Sequence, residues 1–341
     1  HSIGAQVRRI LPRARKVATL TDAATWARLG ERVTDSLQEA GLEVHVREVE
    51  PDEHVKTLDQ ASLLYDWLLE LRMRREDIVL VVGGDAIDDL GGFVASTYMR
   101  GIPLVKVPTS LEGMVDTSIG GKSALNHKRA RNLVGTFHHP RLAWADAALL
   151  RDEPERERRA AFAEVVKYAM IESSLMPGEA IATSLIEQVE QHVDALLALD
   201  RLVLLPVIAR CVALKAQVVA ADERDLGQLR MLLNYGHTVG HALETATDYR
   251  MPHGEAVAIG MAVEARLAVL LGLANVESET RQNHLLARFG LPTRLPALSL
   301  DVLLELIHRD KKVFGDAPRW ILPSAPGRVV VSAAVEEHDL R

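Results

Sequence analysis

The chain has one cysteine, Cys211, in 341 residues. No intramolecular disulfide can staple it, and that scarcity fits a reducing compartment. It has no excess of positive charge: 40 Lys and Arg face 47 Asp and Glu, a formal net charge of -7. Neutralising a nucleic-acid backbone needs clustered cations, so nucleic acid is not expected as a partner. A small anionic ligand needs only a local basic pocket and stays admissible. There is no uninterrupted apolar run long enough to span a bilayer and no signal-peptide pattern. No membrane partner is therefore expected, and a cytoplasmic location is. Internal repeats and low-complexity tracts are also missing. What is present is an apolar share of 48%, enough to bury a core, and a charged share of 26%, enough for solubility. The length accommodates two domains.

The first part alternates short β-branched or apolar stretches with helix-like ones. Lys16–Leu20, Leu42–Glu48, Asp77–Val82, Pro103–Val107 and Leu142–Ala145 read as strands, and Ala23–Ala40 and Thr57–Arg74 as helices. Such alternation predicts a parallel, Rossmann-like sheet covered on both faces, with ligands beyond the carboxyl ends of its strands. From about Glu155 the pattern becomes helical: Arg158–Ser173, Ile181–Ala198, Leu204–Ala221, Thr238–Thr247, Glu255–Leu271, Thr280–Phe289 and Leu300–His308. Arg319–Leu322 and Arg328–Val331 flank a Pro- and Gly-containing turn and read as a hairpin. The fold class expected is an α/β N-terminal domain, residues 1–150, followed by a mostly α-helical C-terminal domain, residues 151–341.

Chemistry concentrates in Asn234-Tyr-Gly-His-Thr-Val-Gly-His241 and, twelve residues on, His253-Gly-Glu255. Neutral imidazole is a common zinc ligand, and His237 and His241 fall four apart, on one face of a helix. Read from the residues alone, His237, His241 and His253 look like three metal ligands. Ala163-Glu-Val-Val-Lys-Tyr168 lies in a strongly apolar helix, with Glu164, Lys167 and Tyr168 on one face. A surface ion pair is the plain reading of that face. A buried glutamate, however, needs a cation, and a metal would serve. Lys215, Arg230 and Asn234 add cationic and amide donors suited to a carboxylate and a phosphate. In the first half, Gly83-Gly84-Asp85 ends a strand and opens a helix, a turn where backbone N–H groups can meet phosphate. A tight strand-to-helix turn reads the same way. Ser118-Ile-Gly-Gly-Lys122 with Arg131-Asn132 is a phosphate contact or a basic solvent loop.

Together these segments resemble the 3-dehydroquinate synthase family, within the wider group of sugar phosphate cyclases. The likeness runs from about Val17 to the C-terminus. It rests on Gly91-Gly-Phe-Val-Ala-Ser-Thr-Tyr-Met-Arg-Gly101, Val107-Pro-Thr-Ser-Leu111, Val115-Asp-Thr-Ser-Ile-Gly-Gly-Lys122, Asn132-Leu-Val-Gly135, Ala163-Glu-Val-Val-Lys167, Leu233-Asn-Tyr-Gly-His-Thr-Val-Gly-His-Ala242, His253-Gly-Glu-Ala-Val-Ala-Ile-Gly-Met261 and Asp310-Lys-Lys312. The resemblance implies an enzyme that cyclises 3-deoxy-arabino-heptulosonate 7-phosphate to 3-dehydroquinate, through transient oxidation, phosphate elimination, reduction, ring opening and aldol closure. It implies NAD, regenerated each turnover, and Zn2+, with Co2+ as an alternative metal. It makes Glu164, His237 and His253 the metal ligands and moves His241 to the substrate phosphate. Lys122, Asn132, Lys167, Asn234, His241 and one of Lys311 or Lys312 (Lys312 taken here) become phosphate and ring contacts. Lys215 and Arg230 become a carboxylate clamp, which cyclases acting on substrates without a carboxylate do not need. Arg100 would reach across a homodimer interface. Asp22, Glu53, Lys56, Gly83, Gly84, Asp89, Thr109, Ser110, Asp116, Lys122 and Arg131 fall where the family holds NAD.

Five departures concern the cofactor side. Asp85 and Asp88 stand where the family turn has glycines, Arg131 where it has lysine, Asp52 where it has glycine, and Glu112 where it has an apolar residue. At about 6 Å and an effective dielectric of about 20, each added carboxylate repels a pyrophosphate charge by roughly 3 kcal/mol. Against that, Asp85 is expected as N-cap and Asp88 in the first helical turn. NAD binding weaker than is usual for the family is therefore expected. Alternatives remain: a related sugar phosphate cyclase, a metal- and NAD-dependent polyol dehydrogenase, or a cofactor-impaired homologue without catalysis.

Overall fold

The computed structural model of the chain describes residues 2–128, 130–176, 178, 183–312, 319–332, 335 and 337–340. The side chains of residues 130, 309–312 and 337 lie outside that description, and with them those of Lys311 and Lys312. Two compact units divide the chain, His1–Leu150 and Arg151–Arg341.

In the first unit α1 (Ile3–Ile10) precedes β1 (Lys16–Thr21), α2 (Ala23–Glu39), β2 (Glu43–Glu48), α3 (Leu58–Glu70), β3 (Ile78–Gly83), α4 (Asp85–Thr97), β4 (Leu104–Pro108), β5 (Lys122–His127), β6 (Ala130–Phe137) and β7 (Leu142–Ala143). Among the described residues five strands form one parallel sheet in the order β2-β1-β3-β4-β7. β3 is buried at every position and β4 likewise, as a sheet covered on both faces requires. The edge strand β2 is partly or fully exposed throughout. The chain leaves β1 toward β2 on one side and returns to β3 on the other. That reversal opens a crevice at the carboxyl ends of β1 and β3, the place where open α/β sheets bind ligands.

β5 and β6 form an antiparallel hairpin that packs on α4. Reading 118–122 as a glycine loop before a lysine missed it. A short period-2 signal is there: Ser123 and Leu125 are buried, while Lys122, Ala124 and Asn126 are exposed or half-buried. Leu142–Ala145 shortens to the two residues of β7.

In the second unit come α5 (Glu155–Leu175), α6 (Leu185–Gln191), α7 (Val193–Leu197), α8 (Arg201–Ala221), α9 (Gln228–Met231), α10 (His237–Ala246), α11 (His253–Leu270), α12 (Val276–Arg288) and α13 (Leu300–Lys312). The hairpin of β8 (Trp320–Ala325) and β9 (Arg328–Ser332) closes the unit. The single helix expected over 181–198 is two pieces broken at His192, and residues 181 and 182 lie outside the described residues. The His192 ring sits 2.8 Å from the Gln188 carbonyl, the acceptor a continuous helix would offer the His192 N–H, which bonds Val189 O at 3.2 Å instead. By length and composition α8 passes as a membrane span, with mean hydropathy 2.0 over its most apolar stretch. Its apolar run is interrupted by Arg210 and Lys215, and it buries Leu204, Val207, Ile208, Cys211, Leu214 and Val218 within the unit.

Candidate active site

α5 is buried on all sides from Ala160 to Glu172. Glu164 thus sits at 1% exposure, where a lone carboxylate would be costly. Three groups face it. Lys167, one turn on, forms an ion pair with it. His237, the first residue of α10, places Nε2 3.7 Å from Glu164 Oε1, and His253, the first residue of α11, places Nε2 3.6 Å from the same oxygen. One ligand atom from each of Glu164, His237 and His253 lies within 4.8 Å of the other two. Tetrahedral ligands at zinc distances stand about 3.4 Å apart, and the two carboxylate–imidazole separations lie within a few tenths of an ångström of that, so this donor set suits such an ion.

The protonation states suit a metal. Burial pushes the His237 pKa well below its ordinary 6.5, and Lys167 adds to that against the pull of Glu164. The ring is neutral at physiological pH and carries a lone pair. Which nitrogen carries the lone pair is set by the far side of each ring. His237 Nδ1 lies 3.1 Å from the Tyr235 carbonyl, an acceptor only, so Nδ1 holds the proton and Nε2 faces Glu164 bare. His253 Nδ1 lies 3.2 Å from Glu244 Oε1 and is held the same way.

Small residues set these positions. Gly236, the N-cap of α10, is left-handed at φ +81, and a Cβ there would meet the Val257 carbonyl at 2.8 Å. A Cβ on Gly260 would stand 1.9 Å from the Gly236 carbonyl, and one on Gly254 1.9 Å from the Ala160 carbonyl. The first contact presses α10 onto α11, which seats His237 against His253. The second presses α11 onto α5, which seats His253 against Glu164. The glycines among the histidines therefore serve helix–helix approach.

The remaining candidates of this unit separate. The His241 ring is exposed, 5.3 Å from that of His237 and 6.2 Å from that of His253 by centroids, and stands outside the three-residue group. The reading of three histidines on one ion is corrected accordingly: Glu164 completes the group. Asn234 is exposed at the end of a short 3-10 turn, Leu232–Asn234. Lys215 and Arg230 are both buried, on α8 and α9, which touch. Arg230 donates to the Asp222 and Glu223 carbonyls at the end of α8.

In the first unit the cofactor candidates gather in two places. Asp22 follows β1 and caps α2. Gly83 ends β3 and Gly84 follows it, and Thr109, its N–H bonded to the Gly83 carbonyl, and Ser110 follow β4. A Cβ on Gly84 would meet nothing within 4 Å, and no side chain caps α4. This leaves open space over a helix N-terminus, as a phosphate needs. The second gathering centres on buried Lys56, 2.7 Å from Asp89, 2.6 Å from Asn132 Oδ1 and 3.3 Å from Glu53. Arg131 and Asn126 meet the other Glu53 oxygen at 2.6 and 2.9 Å. Burial works against the charged Glu53, but Lys56, Asn126 and Arg131 outweigh it and hold its pKa below 4.5. Asp116 lies in the π-turn Gly113–Thr117, while Lys122 and Arg100 are exposed.

Two departures from the family turn take unexpected partners. Asp85 is not the N-cap: Gly84 is, and Asp85 accepts from the Thr117 hydroxyl at 2.5 Å. Asp88 does lie in the first turn, but it is buried and pairs with buried Lys106 at 2.6 Å. Asp52 caps the turn Glu53–Val55. Sequence reasoning passed over Lys106 and Glu244. A lysine inside the apolar strand Leu104-Val-Lys-Val107 was a signal for the first. The spacing of His237, His241 and Glu244 along one helical face was a signal for the second.

Residues 46–160 match the family described as 3-dehydroquinate synthase N-terminal, and residues 161–313 that described as 3-dehydroquinate synthase C-terminal. The chain belongs to the 3-dehydroquinate synthase family. A 3-dehydroquinate synthase from Synechococcus is 42% identical to it over 96% of this chain and 87% of that protein. One from Symbiobacterium thermophilum is 42% identical over 99% and 92%. Among solved structures, a 2-epi-5-epi-valiolone synthase from Streptomyces hygroscopicus with NAD+ and Zn2+ bound superposes with TM-score 0.86 at 26% identity, over 96% of this chain and 89% of that one. The glycerol dehydrogenase of Schizosaccharomyces pombe shares the fold at TM-score 0.65 and 18% identity, covering 95% of this chain and 81% of that one. The 3-dehydroquinate synthase family thus accounts for both units.

Proposed function

We propose that the chain is a 3-dehydroquinate synthase of the shikimate pathway, a lyase that cyclises 3-deoxy-arabino-heptulosonate 7-phosphate and releases phosphate. The observation that carries this is the Glu164–His237–His253 group, in a chain about 40% identical over nearly its whole length to proteins of that name. Glu164, His237 and His253 would hold the metal, Zn2+ or Co2+. Asp22, Gly83, Gly84, Thr109, Ser110 and Asp116, with the Glu53–Lys56–Asp89–Arg131 cluster, would hold NAD+. When bound, these supply a Lewis acid and a reversible hydride acceptor.

The chain's own residues bind and orient. Buried Lys167 forms an ion pair with Glu164 and is a further proposed phosphate or ring contact. His241, Asn234 and Lys312, with Lys122 and Asn132, are the proposed phosphate and ring contacts. Lys215 and Arg230 are the proposed carboxylate clamp. Two buried cationic side chains suit a carboxylate, so Lys215 and Arg230 favour a keto acid over sugar phosphates that lack one. The partner is then a small anionic sugar-acid phosphate. Arg100, exposed and left-handed at φ +65, is the proposed contribution across a homodimer.

Incubation of the protein with the keto acid phosphate, NAD+ and Zn2+ should release phosphate with no net gain in NADH absorbance. NADH accumulation without phosphate would mark a polyol dehydrogenase. Phosphate from sedoheptulose 7-phosphate but not from the keto acid would mark a relative with another substrate. Silence on all of them would mark a homologue without catalysis.

A further inference from the structure

We infer that Glu244 is a positioning residue for His253, acting as the carboxylate behind the metal-facing imidazole. The inference rests on the metal-site reading above. Glu244 Oε1 lies 3.2 Å from His253 Nδ1, while Nε2 of the same ring lies 3.6 Å from Glu164 Oε1. An ionised carboxylate only accepts, so the contact assigns the proton to Nδ1 and the lone pair to Nε2. Its charge also makes the imidazole a better donor to a metal, a service a backbone carbonyl performs less strongly. Behind His237, among the described residues, stands such a carbonyl, that of Tyr235, supplied by its own turn. His253 stands at the first position of α11 after Pro252, and its acceptor comes from another element.

α10 provides it. His237, His241 and Glu244 fall at i, i+4 and i+7 on one face of that helix, so a single rigid element carries one ligand and orients another. α10 ends at Ala246, which puts Glu244 in the last turn, where the macrodipole disfavours a negative charge. Glu244 is also largely buried, at 17% exposure. A carboxylate in a position that costs helix stability, turned onto the ring nitrogen away from the ligand group, is explained by what it does to that ring.

The test compares the full-length wild type with Glu244→Leu, Glu244→Gln and His237→Ala, each stripped with a chelator and titrated with Zn2+ against a chromogenic competitor. Melting of the metal-free forms reports whether each is folded. Glu244→Leu should lose about 10- to 100-fold in zinc affinity with metal-free melting unchanged or raised. Glu244→Gln, whose amide oxygen still accepts from Nδ1 but carries no charge, should recover part of that and remain a few-fold weaker than wild type. Unchanged affinity in both Glu244 variants, with loss in His237→Ala, would overturn the role of Glu244 and leave the metal site standing. Unchanged affinity in His237→Ala would overturn the metal site, and this inference with it. If Glu244→Leu does not fold, Glu244→Gln decides: a few-fold loss supports the role and wild-type affinity overturns it.

Discussion

Asp88 replaces a family glycine at the start of α4, yet its carboxylate is spent on Lys106 inside the first unit. At neutral pH the pair is close to neutral as a whole, so the weaker NAD binding anticipated from two added acids rests mainly on Asp85. Burial pushes the Asp88 pKa from its ordinary 3.8 up to about 6, against the attraction of Lys106. The folded chain then keeps a proton that the unfolded chain has lost between those values. Stability from this group is full below about pH 4, falls as pH rises toward 6, and is flat above. The span corresponds to on the order of 3 kcal/mol. Urea unfolding of wild type and Asp88→Asn across this range should show wild type losing ground by about that much. A difference independent of pH would sink the assignment. The lysine was legible as an oddity in an apolar strand. Its partner was not, because Asp88 and Lys106 are eighteen residues apart and meet only when β4 packs beside α4.

At the scale of elements, helix approach decides the site. Gly254 lets α11 cross α5 with no room for a methyl group, and the Ala160 carbonyl it meets lies one turn before Glu164. Gly254→Ala should force the two helices apart. An overpacking cost of about 1–3 kcal/mol is expected in chemical unfolding, together with weaker zinc binding as His253 withdraws from Glu164. Unfolding and zinc titration curves that overlay wild type would refute the packing argument. Most elements were readable from the length and composition of their apolar runs, short and β-branched in β1 and β3, long and rich in helix formers in α5 and α11. The β5–β6 hairpin and the break at His192 were not. The first hid behind a glycine run, and the second depends on a ring–carbonyl contact that competes with the helix.

At the scale of the molecule, the candidate metal ligands all belong to the unit Arg151–Arg341, and the glycine turn belongs to His1–Leu150. Zinc at about a hundred times its dissociation constant should stabilise the folded form by about 2.7 kcal/mol. Chelation should lower the calorimetric transition by that measure. Hydrogen exchange should rise at the starts of α10 and α11 and leave β1, β3 and β4 unchanged. Equal deprotection of the sheet would contradict confinement of the ligands to the helical unit.

Residue order alone carried the family, the two-part architecture and the identity of the chemical groups, because strand and helix periods and short motifs are local properties of a chain. It also carried the three metal-ligand candidates, through resemblance; reasoning from spacing picked three histidines instead. Packing settled the rest. Glu164 lies seventy-three residues before His237, and no local rule links them. The tautomer of His253, the pairing of Asp88 with Lys106 and the N-cap of α4 each depend on which side chains from separate elements come within hydrogen-bond reach, and that is set by how closely the helices and strands can approach.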